Sequence, residues 1–560
     1  MMIKIAENLM RGIRQNMIKI IPIGLFFILI FFSWEKPFSH NEMGAVYSAF
    51  QYASKWTLLA NPFLSNGLVL DHPPLYIILI GLIARWLKHP LALRIVGLTS
   101  SILLLLFLER FNRLKGVHKN VSIFCLWLLC CHPLFIQGTL LIEHITGLAV
   151  IFVTLMVFCV AYEKWFWGSI VFALCCWAKL VLCVPFAGAL IIYGIGKSIK
   201  EKTKYGQRLC ISLFAGFALF LISFWIFCKV KDLPFQRLFM YAFSAFSTKR
   251  VNLSKVIFEA FQSLLWFGFP FCLAWLMGIA EILQGKIRAP IASISAFISF
   301  VFLFGFFFIG GVVSGFPCYQ IAGLPLMVIV VTYLFSHYLT DRFKRKEDIK
   351  KFIVITVMSI IVLVVLGDPI ETIRLPLREA YVHGHQSKLI LLSLLSQLLI
   401  PFVLLFGGTI LFKSGQYRWK SAFILGLFSI CLSQMIAVNI LQIGPHNRSQ
   451  NYGAQGTWDA ARAIADVLDK SDKLIATSEI TGLVALTGKE VHQVTNRFWS
   501  DKRSIRNALD NPSVKVIAYS LPSNTIEQLQ VLKDHDIQKQ LRADFEEKKI
   551  GSYSVWIRLK

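Results

Sequence analysis

The sequence has 560 residues, of which 56% are hydrophobic and only 16% are charged. Soluble domains carry about 25% charged residues, so this composition excludes an ordinary soluble protein. Apolar runs of roughly 17 to 25 residues recur along the chain, and one helix needs that length to cross about 30 Å of hydrocarbon. The composition therefore predicts an all-α polytopic membrane protein.

The chain is strongly basic, with 57 Lys and Arg against 31 Asp and Glu and a formal charge of +26. In a soluble protein this excess would indicate nucleic-acid binding. In a protein with many spans, short basic loops set the orientation in the membrane, and part of the charge meets anionic lipid phosphates. We therefore predict contact with membrane lipids and no nucleic-acid partner.

The twelve cysteines all lie in or beside apolar segments, and none follows Gly444. This placement excludes a disulfide framework and a zinc-binding pattern. Adjacent pairs such as Cys130 and Cys131 are typical of small buried hydrophobic residues.

The N-terminus carries a basic stretch, from Lys4 to Lys19, ahead of the apolar run 20–32. This order resembles a signal peptide, but no convincing small-residue cleavage site follows it. We predict an uncleaved first span with the N-terminus in the cytoplasm.

The stretch Pro73 to Leu87 leaves one choice open in the topology, because it is short for a span and opens with two prolines. If it crossed the bilayer, the basic loop 110–119 would fall outside. If it lies at the outer interface, nearly all later basic loops fall inside, as the positive-inside rule requires. We adopt the second arrangement, which places the C-terminus outside and predicts about thirteen spans: 17–34, 91–109, 120–140, 145–162, 165–179, 181–196, 209–228, 257–280, 291–312, 317–338, 352–367, 388–412 and 420–443.

This topology predicts two domains: a transmembrane core over residues 1–443, with a long outer loop at 34–90, and a small outer domain over 444–560. The second domain alternates helical and strand-like patterns, which is typical of an α/β fold. The predicted helices are 458–468, 504–509 and 525–535, and the predicted strands are 473–477, 514–519 and 553–559.

Ionisable and polar residues gather in the first outer loop and at the start of the next span. They are Glu42, Asp71, His72, Tyr76 and Arg94. Ionisable groups at a membrane boundary are candidates for function. The alternative is a solvated loop with an arginine that extends its charge towards water.

Two further polar features lie in apolar surroundings. Glu143 and His144 follow the predicted third span with no other charge nearby, and an isolated carboxylate there needs a partner or a role. Lys179 lies at the predicted outer end of the fifth span. Its ammonium group either contacts a lipid phosphate or extends to the interface, as lysines at helix ends do.

In chain order, these pieces resemble a known family. The runs DHPPLYIILIGLIARWLKHPLALRIVGLTSSILLLLFLERFNRLKG, HPLFIQGTLLIEHITGLAVIFVTLMVF and WGSIVFALCCWAKLVLCVPF are similar to the membrane core of the GT-C glycosyltransferases. The resemblance is to the protein O-mannosyltransferases and to the aminoarabinose transferase that modifies lipid A. It covers roughly residues 25 to 200, and the family's thirteen spans and outer C-terminal domain agree with the predicted topology.

The resemblance implies catalytic roles for two acidic positions. The family's first-loop acidic pair falls on Asn41 and Glu42, so an amide stands where relatives carry the catalytic aspartate. An amide cannot accept the proton of an acceptor hydroxyl. Glu42 then serves as the base from the adjacent position, or Glu143, which matches the family's second acidic position, takes this role, or catalysis has been lost.

The resemblance also implies a set of groups around the donor. His72, Arg94 and Lys179 match positions on the side of the donor phosphate, and Asp71 matches a position that contacts a metal or that phosphate. Tyr381, His383 and His385 in the last outer loop are candidates to complete the pocket, with or without a divalent metal.

The implied reaction is an inverting transfer of a sugar from a polyprenyl phosphate to a lipid A or core, glycan or protein acceptor. It would take place on the outer face of a bacterial inner membrane, where the lipid tail stays in the bilayer and the sugar reaches water. Two other functions stay open: a lipid-linked glycan flippase or transporter, and a non-catalytic binding subunit. Transporters tend to have internal repeats, which this sequence lacks, and Asn41 is the residue that favours the non-catalytic subunit.

Overall fold

The computed structural model describes most of the chain. The described residues are 20–34, 42, 45–46, 48–50, 73–87, 89–114, 119–142, 147–236, 238–239, 263–264, 266–309, 319–366, 387–413, 419–442, 456–469, 472–477, 480–481, 483–484, 487, 498–499, 501–520 and 531–559.

Helices dominate this part of the chain. In chain order they are α1 (Ile20–Ser33), α2 (Leu75–Leu87), α3 (Ile95–Leu114), α4 (Lys119–Cys131), α5 (Pro133–Leu140), α6 (Leu148–Ala161), α7 (Trp165–Glu201), α8 (Tyr205–Val230), α9 (Phe269–Leu283), α10 (Pro290–Ile309), α11 (Leu324–Leu339), α12 (Lys346–Leu366), α13 (Ser387–Phe412), α14 (Trp419–Gln442), α15 (Thr457–Val467), α16 (Lys502–Asp510) and α17 (His535–Asp544). Short 3₁₀ turns cover Pro90–Arg94, Gln320–Gly323, Arg342–Lys344 and Val531–Lys533.

The chain forms two compact units. The first holds the long apolar helices and comprises Met1–Trp34, Asp71–Pro73 and Ile95–Gly444. The second comprises Glu35–Leu70, Pro74–Arg94 and Pro445–Lys560. It therefore joins α2 and the turn after it to the C-terminal sheet and helices.

Within the described residues, five helices are long and apolar enough to cross a membrane, and the bent pair α4 and α5 makes a sixth. Several shorter apolar helices accompany them, including α1, α6, α9 and α10. The class of an apolar helical protein with a small C-terminal sheet is therefore confirmed. The count of thirteen spans stays a prediction.

Small residues bring the helices of the first unit together. A Cβ added at Gly206 of α8 would lie 2.9 Å from the carbonyl oxygen of Gly194 in α7, and one added at Gly216 would lie 2.5 Å from the carbonyl oxygen of Ser169. In lipid, helices associate through close van der Waals packing and interhelical hydrogen bonds rather than through the hydrophobic effect. The glycines allow that close approach of α7 and α8 at these two positions.

A bend of 62° separates α4 from α5. The sequence predicted a span over 120–140, and the structure shows a bend inside it that the sequence analysis did not predict. Pro133 has no backbone N–H to donate, so the hydrogen-bond ladder is broken there. The His132 Nδ1 atom accepts a hydrogen bond from the Leu134 backbone N–H, 3.2 Å away, and so caps the new helix.

A polar cluster links three helices of the first unit. The Tyr338 hydroxyl in α11 donates a hydrogen bond to Glu281 Oε2 in α9, 2.7 Å away. The Lys420 ammonium in α14 pairs with the other oxygen of Glu281 and lies 4.9 Å from the centroid of the Tyr338 ring. Because Glu281 is buried, its charge requires such partners.

The second unit contains a four-stranded sheet in the order β1-β2-β4-β3, with strands β1 (Lys473–Ala476), β2 (Val514–Ser520), β3 (Phe545–Ile550) and β4 (Tyr553–Arg558). β1 and β2 are parallel, with α16 in the connection between them, and the other pairs are antiparallel. Parallel neighbours need such a crossover, whereas β3 and β4 are joined by a tight turn in which Gly551 has a φ of 60°.

The sheet and two helices share one apolar core. Side chains from the strands, such as Ile517 and Trp556, pack with Leu509 of α16 and Leu541 of α17. The predicted strands 473–477, 514–519 and 553–559 are strands in the structure. The predicted helix 525–535 lies mostly outside the described residues, and the helix that follows it begins only at His535.

Candidate functional site

Arg94 closes a 3₁₀ turn that begins at Pro90. The residue before a proline is disfavoured in α-helix, so α2 ends at Leu87 and the chain turns. Pro90 itself has the fixed φ that suits the start of a helical turn. The turn leads Arg94 into the protein, where only 1% of its surface is exposed.

Two ionisable side chains of the second unit act electrostatically on the Arg94 guanidinium: those of Glu42 and Tyr76. Both side chains are buried. Glu42 has a helical backbone conformation, and Tyr76 is the second residue of α2. The sequence predicted all three as site residues at widely separated positions. The structure brings them together within one unit.

This cluster has a clear physical basis. A buried guanidinium is costly unless an anion or several acceptors compensate for its lost hydration. The Glu42 carboxylate provides that negative charge. A guanidinium has five N–H donors, and its planar shape suits phosphate and carboxylate oxygens.

Lys179 occupies a break inside α7. Its φ of −160° and ψ of 94° are extended rather than helical, and Pro185 follows in the same helix. Thirty-seven residues of continuous helix would measure about 55 Å, far more than the hydrocarbon thickness. The break coincides with the boundary predicted between the spans 165–179 and 181–196.

The Lys179 side chain is buried and its exposed fraction is 3%. Its Nζ atom lies 5.9 Å from the centroid of the Tyr319 ring, at the outer limit of a cation–π contact. A lysine that merely extends its charge into water would be exposed at its tip. The buried position therefore contradicts that alternative and leaves a cation held inside the first unit.

Tyr319 and Gln320 were not predicted as site residues. Gln320 opens the 3₁₀ turn next to Tyr319, and its exposed fraction is 1%. Among the residues that the structure describes, neither its amide nitrogen nor its amide oxygen has a hydrogen-bond partner. A buried amide without partners is costly, so this position is suited to a polar ligand. The signal in the sequence was a polar pair just before the apolar run that starts at Leu324.

The segment that carries Glu143 and His144 is framed by described residues. Leu141 and Ile142 before it are buried. After it, Gly147 has a φ of 66°, a conformation that favours glycine, and precedes α6. Gly147 lines a small pocket with Ser100, Ser101, Thr139 and Ile321, in which the hydroxyls of Ser101 and Thr139 are 2.7 Å apart.

Several predicted site residues lie outside the described residues. They are Asn41, Asp71, His72, Glu143, His144, Tyr381, His383 and His385. Among the described residues, no group of three His, Cys, Asp or Glu side chains is placed to hold a metal ion. The metal site predicted at Asp71 and the two histidines of the last loop therefore stays a prediction.

No protein-family model matches the sequence, and no curated protein matches it either. Solved structures do share its fold. The crystal structure of ArnT from Cupriavidus metallidurans bound to undecaprenyl phosphate has a TM-score of 0.59 and 11% sequence identity, and the match covers 97% of this chain and 98% of ArnT.

The crystal structure of the same ArnT in the apo state gives a TM-score of 0.56 with 10% identity, over 96% of this chain and 97% of ArnT. At such low identity the likeness concerns the fold. ArnT is a lipid A aminoarabinose transferase of the GT-C class, and the match runs over almost the full length of both chains. The resemblance to the GT-C fold, predicted from the motifs in residues 25 to 200, is therefore confirmed and extends to the whole chain.

Proposed function

We propose that this protein is a membrane glycosyltransferase that moves a sugar from a polyprenyl-phosphate donor to a lipid, glycan or protein acceptor. The observation that carries the proposal is the likeness, over nearly the full chain, to ArnT bound to undecaprenyl phosphate. A polyprenyl phosphate combines a long apolar tail with a compact anion. A protein with long apolar helices and buried cations is suited to both parts of that molecule.

The family resemblance of the sequence makes Arg94, Lys179 and His72 our separate candidates to bind the donor phosphate. As the bond between the sugar and the phosphate breaks, negative charge grows on the leaving phosphate. Cations fixed in a site of low dielectric stabilise that charge more in the transition state than in the ground state. The burial of Arg94 and Lys179 supports this role because it restricts the competition from water.

Glu42 is our candidate for the base that takes the proton from the acceptor hydroxyl. Its electrostatic interaction with Arg94 supports a position near the donor phosphate. Glu143 is the second candidate, and Asp71 is the candidate ligand if a divalent metal takes part.

We further propose that the protein is oriented in a bacterial inner membrane with its N-terminus in the cytoplasm and its C-terminal sheet outside. The positive-inside distribution of its loops supports this orientation. The acceptor hydroxyl and the sugar would then meet at the outer boundary of the membrane, where the sugar leaves the lipid phase.

A non-catalytic binding subunit is the second candidate function. Asn41 favours it, because an amide stands where the related enzymes carry an acidic residue. Such a protein would bind the lipid phosphate without breaking the bond to the sugar. The two functions differ in turnover and agree in binding, so one assay separates them.

The experiment is the release of polyprenyl phosphate by the purified full-length protein from a panel of polyprenyl-phosphate sugars. The wild type is compared with Glu42→Gln and Asn41→Asp, and with Glu546→Gln as a control at an exposed position of β3. We expect turnover in the wild type and the control, and a loss of about 10²-fold or more in Glu42→Gln.

The turnover of the variants distinguishes a transferase from a binding subunit. Turnover that is lost in Glu42→Gln and kept in Asn41→Asp supports a transferase that uses Glu42. Turnover that is absent in the wild type and gained in Asn41→Asp supports the binding subunit. Full activity in Glu42→Gln would contradict its role as the base.

A further inference from the structure

The second unit contains an aromatic contact between the α2 segment and the C-terminal sheet domain. The ring of His89 stacks on that of Trp458, with centroids 5.8 Å apart and an angle of 18° between the planes. His89 stands between α2 and the 3₁₀ turn, and Trp458 is the second residue of α15. This contact joins two parts of the chain that are more than three hundred residues apart.

His89 immediately precedes the turn that ends at Arg94. Its Nδ1 atom accepts a hydrogen bond from the Leu91 backbone N–H, 3.3 Å away, and its carbonyl oxygen accepts one from the Ala92 N–H at 3.0 Å. The turn has only five residues and rises about 2 Å per residue. The His89 side chain is therefore hydrogen-bonded to the start of a short turn, and the last residue of that turn is the buried Arg94.

Trp458 is itself fixed to the sheet. The Thr457 hydroxyl beside it lies 3.1 Å from the hydroxyl of Tyr553, a buried residue at the start of β4. Gly456, just before α15, has a φ of 79°. A Cβ added at Gly456 would lie 3.1 Å from the Cα of Gly551, so the start of α15 packs closely against the turn between β3 and β4. These contacts of the two preceding residues hold Trp458 in place relative to the sheet.

We propose that Trp458 is a positioning residue through which the C-terminal domain holds Arg94, by way of the His89 ring and the Pro90–Arg94 turn. The role of Arg94 in turnover rests on the proposed function, whereas the mechanical link from Trp458 to the turn does not. The proposal gives the C-terminal domain a task in the reaction itself: a ligand that shifts α15 changes the position of the arginine.

Two properties of His89 can be separated by substitution. His89→Asn keeps a side-chain acceptor for the Leu91 N–H, as asparagine does at helix starts, but removes the stacked ring. His89→Phe keeps a ring and removes the acceptor. On the other side, Trp458→Ala removes the stack and Trp458→Phe keeps a smaller one. Trp86→Ala is the control, since Trp86 is an aromatic residue three positions away with 82% of its surface exposed.

The first measurement is hydrogen exchange at the Leu91 and Ala92 amides in the full-length protein in lipid nanodiscs, which requires no activity. We expect roughly two- to tenfold faster exchange in Trp458→Ala than in the wild type, with Trp458→Phe and Trp86→Ala close to the wild type. Aromatic contacts of this kind contribute about 0.5 to 1.5 kcal/mol, equivalent to roughly two- to tenfold. Unchanged exchange in Trp458→Ala overturns the proposal.

The second measurement is turnover of the donor that the wild type uses. Since Arg94 acts on the leaving phosphate, Trp458→Ala and His89→Asn should lower kcat roughly two- to tenfold with little change in the KM for the donor, and Trp458→Phe should restore it. A change in KM alone overturns the role of the ring, and so does a kcat for Trp458→Phe that is as low as that of Trp458→Ala. If the wild type turns over no donor, the proposed function fails and the exchange result still decides the link.

Discussion

The side-chain amide of Asn439 in α14 donates a hydrogen bond to the backbone carbonyl of Cys131 at the end of α4, 2.7 Å away. This carbonyl lies at the bend before Pro133, where the backbone N–H groups of Phe135 and Ile136 both donate to His132 instead. A free carbonyl in hydrocarbon is costly, and broken helices persist where a neighbouring side chain compensates. Asn439 is that neighbour.

We therefore expect Asn439→Leu to destabilise the protein by about 1 to 3 kcal/mol, the cost of a buried acceptor left without a donor. The measurement is unfolding of the purified protein in detergent micelles by denaturant. Asn507→Leu, at an exposed position of α16, is the matched control. Equal stability of the two variants would show that the bend does not depend on Asn439.

A second prediction concerns Lys179. If its buried ammonium group contacts a lipid phosphate, Lys179→Met removes a hydrogen bond between charged groups, which contributes about 1.5 to 3 kcal/mol. The Kd for undecaprenyl phosphate should then rise roughly 10- to 150-fold. Lys200→Met, at the exposed end of α7, should leave the Kd unchanged. The measurement is titration of the lipid into the purified protein, and an unchanged Kd for Lys179→Met would remove it from the site.

The site also shows what could be predicted from the sequence. Glu42, Tyr76 and Arg94 were predicted separately, because ionisable groups at a membrane boundary are conspicuous and their pattern resembles a family. The electrostatic interaction of Glu42 and Tyr76 with Arg94 accompanies the 3₁₀ turn that buries Arg94, and spacing along the chain does not specify that turn. Gln320 was missed because a single amide beside an apolar run becomes notable only once its burial without a partner is known.

In the C-terminal domain, β1, β2 and β4 were predicted because they are runs of β-branched, aromatic and other apolar residues. The strand β3 was missed. Four consecutive charged residues, from Glu546 to Lys549, are exposed on it, so no alternation is visible. Charged edge strands are common because they discourage pairing between molecules, and only the hairpin with β4 defines this one.

The third prediction concerns pH. Asp501 caps α16 by accepting hydrogen bonds from the backbone N–H groups of Arg503 and Ser504 at 3.3 and 3.2 Å. A further bond from the Ser504 hydroxyl is the main reason that the pKa of Asp501 lies below its usual value. Asp534, 2.5 Å from the Lys502 ammonium group, has its pKa lowered chiefly by that hydrogen bond.

Because both carboxyls have a lower pKa when folded than when unfolded, they stabilise the domain above the unfolded pKa of about 3.9. That stability is lost as the pH falls from there through the folded pKa. We expect the hydrogen-exchange protection of α16 to drop between about pH 4 and the folded pKa in the wild type. The drop should be smaller in the double variant Asp501→Asn with Asp534→Asn, and an identical pH profile in the two proteins would contradict the assignment.

The last prediction tests the orientation in the membrane. All cysteines in the described part of the chain are buried except Cys159 and Cys210, which are half-buried. An impermeant maleimide should label these thiols weakly, and labelling of the unsubstituted protein serves as the baseline. Lys549→Cys in β3 and Lys204→Cys between α7 and α8 introduce exposed thiols. With the C-terminal domain outside, Lys549→Cys should be labelled in intact spheroplasts and Lys204→Cys only after permeabilisation. The opposite pattern would show that the topology is inverted. Labelling of both variants in intact spheroplasts would show that an even number of spans separates residues 204 and 549. The predicted arrangement requires an odd number.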